Sequence, residues 1–251
     1  MHESTRGARS PIPEGLGAIR SIVEEHGLQV SLLVRAGSKA YGLEIEDSDD
    51  DYLGVFVPRL RDLLSIAGLS SETHAGNDPD FTLHEIGKFC ALGLKGNPAI
   101  LETLWNPDVL LNDSWGRELI ASRSKFLHRG SLAVYASYAE AQLKKMVRGG
   151  VLHARGGVYN GKFGLHLIRL LHAGLALAAT GEVMVRVPAD LAPPLRRIRS
   201  GEIDMNAVLG MSGPLLEELK RKCEANDLPA EPDRAAIEDL VVRARLSTSE
   251  G

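Results

Sequence analysis

The chain has 251 residues, 44% hydrophobic and 25% charged, an ordinary globular composition long enough to bury a core without disulfide or metal staples. Its two cysteines, Cys90 and Cys223, are too few and too far apart for a disulfide framework or a zinc ribbon, and no apolar run approaches the ~20 residues that a membrane span needs. The formal net charge of −4 argues against a broad, salt-driven grip on a nucleic-acid backbone, although net charge is blind to a local basic groove.

In chain order, Met1 to Pro13 is polar and carries no signal-peptide core, which places the chain in the cytoplasm. Leu16, Ile19, Ile22 and Val23 recur at helical spacing and predict an amphipathic helix over 14–25, stopped by Gly27. Val30 to Val34 reads as a strand, broken by Gly37-Ser38, and Asp51 to Val57 as a second strand closed by Pro58. A third strand is expected from Asp80 to Ile86, running into a helix that contains Phe89, Leu92 and Leu94. Asn97-Pro98 is a helix start, since Asn caps well and Pro suits the first helical position. Asp113 or Ser114 caps another short helix. From about Gly130 long helical patterns take over, at 131–148, 159–180, 204–224 and 233–246, with Val183 to Val187 the one β-branched run left. Gly149-Gly150 and Gly156-Gly157 flank an expected loop around Arg155. The expectation is an α+β fold: a mixed sheet flanked by helices over 1–128, followed by an all-helical domain over 129–251.

Chemistry concentrates in Ala36-Gly37-Ser38-Lys39-Ala40-Tyr41-Gly42 and in Ser48-Asp49-Asp50-Asp51-Tyr52-Leu53-Gly54-Val55. A strand that ends in Gly-Ser and turns into a helix offers free backbone N–H groups, a hydroxyl and close approach to an anion. Asp49 comes 11 residues after Ser38, and strand alternation puts Asp49 and Asp51 on one face and Asp50 on the other. Two carboxylates beside a phosphate cradle suit divalent cations. Neither piece alone is specific, because Gly-Ser turns and acidic turns are common; the two in order between apolar strands are.

Gly-Ser, a gap of about ten and Asp-x-Asp leading a strand resembles the signature of DNA polymerase β-like nucleotidyltransferases. The fuller string, with Ala40-Tyr41-Gly42, Ser48 and Gly54-Val55, is similar to a branch that includes RNA-repair nucleotidyltransferases found with an RNA ligase. Lys95-Gly96-Asn97-Pro98 with Glu102, the helix Lys162 to Leu171, and Leu228-Pro229 to Pro232-Asp233 fall in the same order as in that branch. The resemblance implies an NTP substrate, Mg²⁺ or Mn²⁺ on Asp49 and Asp51, and a third carboxylate on a neighbouring strand. Asp80 is the candidate for that carboxylate, with Asp78 and Glu85 as competitors. It also implies a triphosphate held by Gly37, Ser38 and Lys39 and by Lys162, His166 and Arg169, which lie at i, i+4 and i+7 on one helix face. His166 is also readable as a core histidine. Lys144-Lys145-Arg148 and Arg196-Arg197-Arg199 are solvated surface or contacts to an acceptor strand, an RNA or DNA 3′ end. A nucleotide-binding regulator, a phosphohydrolase and a transferase acting on a protein or small-molecule hydroxyl remain alternatives. There is no P-loop, dinucleotide glycine fingerprint, His-Glu-x-x-His or nucleophile elbow.

Overall fold

The structure is a computed structural model; it describes residues 12–248 except 14, 47 and 154–158, with backbone alone for 149–153. The expected loop around Arg155 therefore lies outside the described residues. Helix α1 (Gly17–Glu25) leads into β1 (Gln29–Ala36), the one-turn α2 (Gly37–Tyr41) and β2 (Asp51–Val57). Then come α3 (Leu60–Leu64), β3 (Thr73–Asn77), β4 (Asp80–Glu85), α4 (Ile86–Gly93), α5 (Pro98–Trp105), β5 (Val109–Asn112) and α6 (Ser114–Ala121). A 3₁₀ turn, Arg123–Phe126, precedes the helical half: α7 (Arg129–His153), α8 (Gly161–Thr180), α9 (Ala192–Ser200), α10 (Met205–Glu224) and α11 (Arg234–Leu246).

The five strands form one mixed sheet in the order β3-β4-β2-β1-β5, with β2 and β4 parallel and the other pairs antiparallel. Strand alternation sorts the side chains onto two faces. Leu33, Tyr52, Phe56, Phe81 and Leu83 pack against α1. Leu32, Val34, Val55 and Val57 face the other way and join a core that continues through the helical half to Leu167, Leu195 and Leu240. Local chemistry sets the helix starts. Asn97 caps α5 with Pro98 at its first position, Asp113 caps α6 through Trp115 and Gly116 N–H, and Asn160, Asp204 and Asp233 cap α8, α10 and α11.

Three expectations change. Val183 to Val187 forms no strand; Val183, Val185 and Val187 are buried, and Val187 N–H donates to the Tyr41 carbonyl at 3.0 Å. The backbone of α7 continues as helix through Gly149-Gly150. Helix α8 is, by length and its mean hydropathy of 1.4, apolar enough to cross a membrane. Its buried face packs against α7, α9 and α10 instead, as the central helix of this half.

Candidate active site

Two strand starts build one wall of a cleft. Asp51 opens β2, Asp80 opens β4, and the two are register partners across the parallel pair, so their side chains share a face. Alternation from Val55 and Val57 identifies it as the face turned toward the helical half. Asp49, two residues ahead of Asp51, lines the same cleft. Asp50 turns away to Lys39 at 2.9 Å and Arg35 at 3.9 Å. The corner is the turn from β1 into α2. Gly37 has φ 65°, and a methyl group there would stand 1.7 Å from Asp51 Oδ2. Backbone and carboxylate meet only because residue 37 has no side chain. Ser38 lines the cleft next to it.

The opposite wall comes from the helical half. Lys162 and His166, one turn apart on α8, and Arg199 from α9 line the cleft with Leu165; the enclosed volume is about 300 Å³. The two walls are electrostatically opposed. Burial, then Asp80, push the Asp51 carboxyl above the usual carboxylate range; Lys162 opposes this, and Asp49 and Asp50 add to it. Burial, then Arg169, Lys162, Arg199 and Lys145, push the His166 imidazole down to about 4, so it is neutral at physiological pH. Lys162 acts on both groups and so lies within electrostatic reach of each.

Two residues expected at the nucleotide lie outside the cleft lining. Lys39 is paired with Asp50 outside the cleft lining. Arg169 is buried, with Nη1 donating to Glu102 Oε1 at 2.8 Å and its guanidinium 3.8 Å from the Tyr41 ring centroid. The angular argument for Arg169 holds, but seven residues carry it about 10 Å further along the axis, to where α5 brings Glu102 against α8. Of the competitors for the third carboxylate, Glu85 ends β4 and is buried against Arg245, and Asp78 is absent from the cleft lining. The arginine cluster on α9 divides: Arg196 Nη2 donates to the Gly42 carbonyl at 2.7 Å, Arg197 pairs with Glu202, and Arg199 enters the cleft. Tyr41, Leu43 and Tyr52 also line it and were not singled out by sequence. Tyr41 stood in the motif itself, so its place beside Gly37-Ser38 was the available signal.

Among the described residues no three carboxylate, imidazole or thiol side chains are gathered tightly enough to enclose an ion. The chemistry of Asp49, Asp51 and Asp80 nevertheless fits a divalent cation. They are hard oxygen donors on one side of an open cleft, and their mutual repulsion, visible at Asp51, is what a cation relieves.

A mixed sheet whose paired strand-leading carboxylates face a basic helix across a glycine-serine corner is the arrangement of a polymerase β-like nucleotidyltransferase. The RNA repair pathway DNA polymerase beta family matches residues 13–243, and the chain belongs to that family. No curated protein matches the chain. Among solved structures, a nucleotidyltransferase-like protein from Exiguobacterium sibiricum 255-15 aligns over 93% of this chain and 76% of that one, at 12% identity and a TM-score of 0.29, too loose to carry an argument.

Proposed function

We propose that the protein transfers a nucleoside monophosphate from an NTP to an acceptor hydroxyl, an RNA 3′ end, and releases pyrophosphate. The opposed walls of the cleft carry this reading: Asp49, Asp51 and Asp80 on one side, Lys162 and Arg199 on the other, with Gly37-Ser38 between them. Lys162, Arg199 and the backbone N–H groups of the Gly37-Ser38 turn take up phosphate charge. His166, neutral, offers a hydrogen bond to a phosphate oxygen without adding charge. Asp80 orients the acceptor hydroxyl and takes its proton as the hydroxyl oxygen bonds to the α-phosphorus and the bond to the pyrophosphate oxygen breaks. Asp49, Asp51 and Asp80 would hold Mg²⁺ or Mn²⁺, which would supply neutralisation of the phosphates and activation of that hydroxyl. The protein's contribution is positioning and charge, as in phosphoryl transfer generally.

For the acceptor, the family's description points to RNA repair. Lys145 of α7 is close enough to act on His166, so basic charge continues from the cleft onto α7. The net charge of −4 and the 5% aromatic content suit a short contact with a strand end, not a long tract. The test is incubation with each labelled NTP, with Mg²⁺ or Mn²⁺, and with RNA, DNA or no acceptor. Labelled RNA and pyrophosphate are expected. Free NMP in their place identifies a phosphohydrolase, label on the protein identifies a protein acceptor, and no product under any condition defeats the reading.

A further inference from the structure

Helix α2, which carries Ser38, is one turn long and lies between two left-handed glycines, Gly37 at φ 65° and Gly42 at φ 72°. So short a helix does not fix its own direction. Its anchors come from outside. Tyr41, its last residue, donates its hydroxyl hydrogen to Glu102 Oε2 of α5 at 2.8 Å. Glu102 Oε1 accepts from Arg169 Nη1 of α8 at 2.8 Å, and the Arg169 guanidinium stacks on the Tyr41 ring. Behind this, Val187 N–H binds the Tyr41 carbonyl and Arg196 binds the Gly42 carbonyl. All four anchors outside α2, Glu102, Arg169, Val187 and Arg196, follow residue 128 in the sequence or touch a residue that does.

We propose that Tyr41, Glu102 and Arg169 form a clasp that positions the Gly37-Ser38 turn against the wall carrying Lys162 and His166, with Arg169 a positioning residue and not a phosphate ligand. Arg169 and Lys162 share α8, so whatever Arg169 holds is held at a fixed distance from Lys162. The ring of Tyr41 is itself part of the cleft lining, so the clasp begins where the nucleotide sits. Stability alone does not account for it. A buried ion pair is commonly no better than apolar packing of the same volume. This one leaves Arg169 Nε without a partner, and the buried Tyr135 hydroxyl, within electrostatic reach of Glu102 and Arg169, also has none among the described residues.

The kinetic part of the proposal rests on the proposed function; the structural part does not, and the test separates them. Three variants are made in the full chain: Tyr41→Phe, which loses only the hydroxyl; the double replacement Glu102→Gln/Arg169→Met, which leaves no lone charge; and Arg169→Lys, which keeps the ion pair. Amide hydrogen exchange of residues 38–43 is compared with that of β1, and kcat and KM for NTP are measured. In the first two, exchange at 38–43 is expected to quicken while β1 is unchanged. Their kcat is expected to fall about tenfold, the scale of one hydrogen bond to a charged group, with KM moving less because misplacement is felt most in the transition state. Arg169→Lys is expected to recover part of kcat. Unchanged exchange at 38–43 in both overturns the clasp, and quicker exchange with unchanged kcat overturns its positioning role. If the double variant does not fold, Tyr41→Phe decides alone. If the unaltered protein transfers nothing, the proposed function fails, and the exchange arm still decides whether the clasp holds the turn.

Discussion

Asp51 is the residue at which charge, packing and the proposed chemistry meet. Burial and its carboxylate neighbours raise its pKa, so its charge destabilises the folded chain at neutral pH when no cation is bound. Asp51→Asn is therefore expected to raise the thermal midpoint by a few degrees without divalent cation and to remove the rise that Mg²⁺ is expected to give the unaltered protein. It is also expected to cut transfer by several kcal/mol, on the order of 10³-fold. A midpoint that falls in this variant contradicts the assignment of Asp51 as a repelled carboxylate. Asp50→Ala, which loses only part-exposed pairs with Lys39 and Arg35, is expected to cost at most about 1 kcal/mol of stability and little activity. His166 gives the pH dependence. Its folded pKa of about 4 lies below the ordinary 6.5, so between these values the unfolded chain binds the extra proton. Stability is fully present above pH 6.5 and declines as pH falls toward 4; His166→Asn is expected to flatten the thermal midpoint over that window. Among single residues the paired carboxylates and Gly37-Ser38 were legible, because spacing and strand alternation are local. The burial of Arg169 was not, since helical spacing gives direction around an axis but no depth, and Glu102 arrives from another helix.

Helices α8 and α9 differ in how their cations are spent. On α9, Arg196 holds the Gly42 carbonyl, Arg197 pairs with exposed Glu202, and Arg199 faces the carboxylate wall. Reversing one charge at a time tests this division. Arg199→Glu is expected to raise KM for NTP by about tenfold, the effect of placing a carboxylate where a phosphate is to be bound, whereas Arg197→Glu is expected to leave KM within about twofold, since exposed pairs contribute little. Equal effects of the two reversals would point to general electrostatics and not to a cleft residue. A run of three arginines could not reveal this split in the sequence, because it depends on where α2 and the Arg197–Glu202 turn lie in space. The same limit explains the elements that were missed. β1, β2 and β4 carry apolar runs and long helices carry periodicity, whereas β3 is Thr-His-Ala-Gly-Asn, polar and glycine-bearing, and exists as a strand through its ladder with β4. β5 has four residues, and α9 begins Ala-Pro-Pro. Val183 to Val187 has strand composition but pairs with no strand, and its alternating valines are buried instead, Val183 and Val187 in the core shared with the helical half.

Across the whole molecule one face of the sheet shares its apolar cluster with the helical half, and α11 returns to the sheet-bearing half. Helix α11 packs on α4 and α6, and Arg245 reaches Glu85 through two bonds of 2.9 Å. Residues 85 and 245 are 160 apart in sequence, which is why no local pattern announced the contact. Glu85 is only 1% exposed, whereas Arg245 is 30% exposed. Glu85 also caps α4 by accepting from Lys88 N–H at 3.0 Å. The physical consequence is an asymmetry. Arg245→Ala strands a buried carboxylate and is expected to cost about 3 kcal/mol, the lower end for breaking a buried pair because Arg245 keeps part of its hydration. Glu85→Gln removes the charge but retains an oxygen for the α4 cap, so in the Arg245→Ala background it is expected to restore part of the loss. Denaturant unfolding of the two single variants and the double variant, read as midpoints at a common slope, measures the coupling. Costs that simply add in the double variant mean that Glu85 finds other solvation once Arg245 is gone, and that α11 is held to the sheet by its apolar face, Ile237, Leu240 and Val241, and not by this pair. A double variant more stable than Arg245→Ala alone means that the ion pair compensates a charge which the burial of Glu85 at the end of β4 imposes.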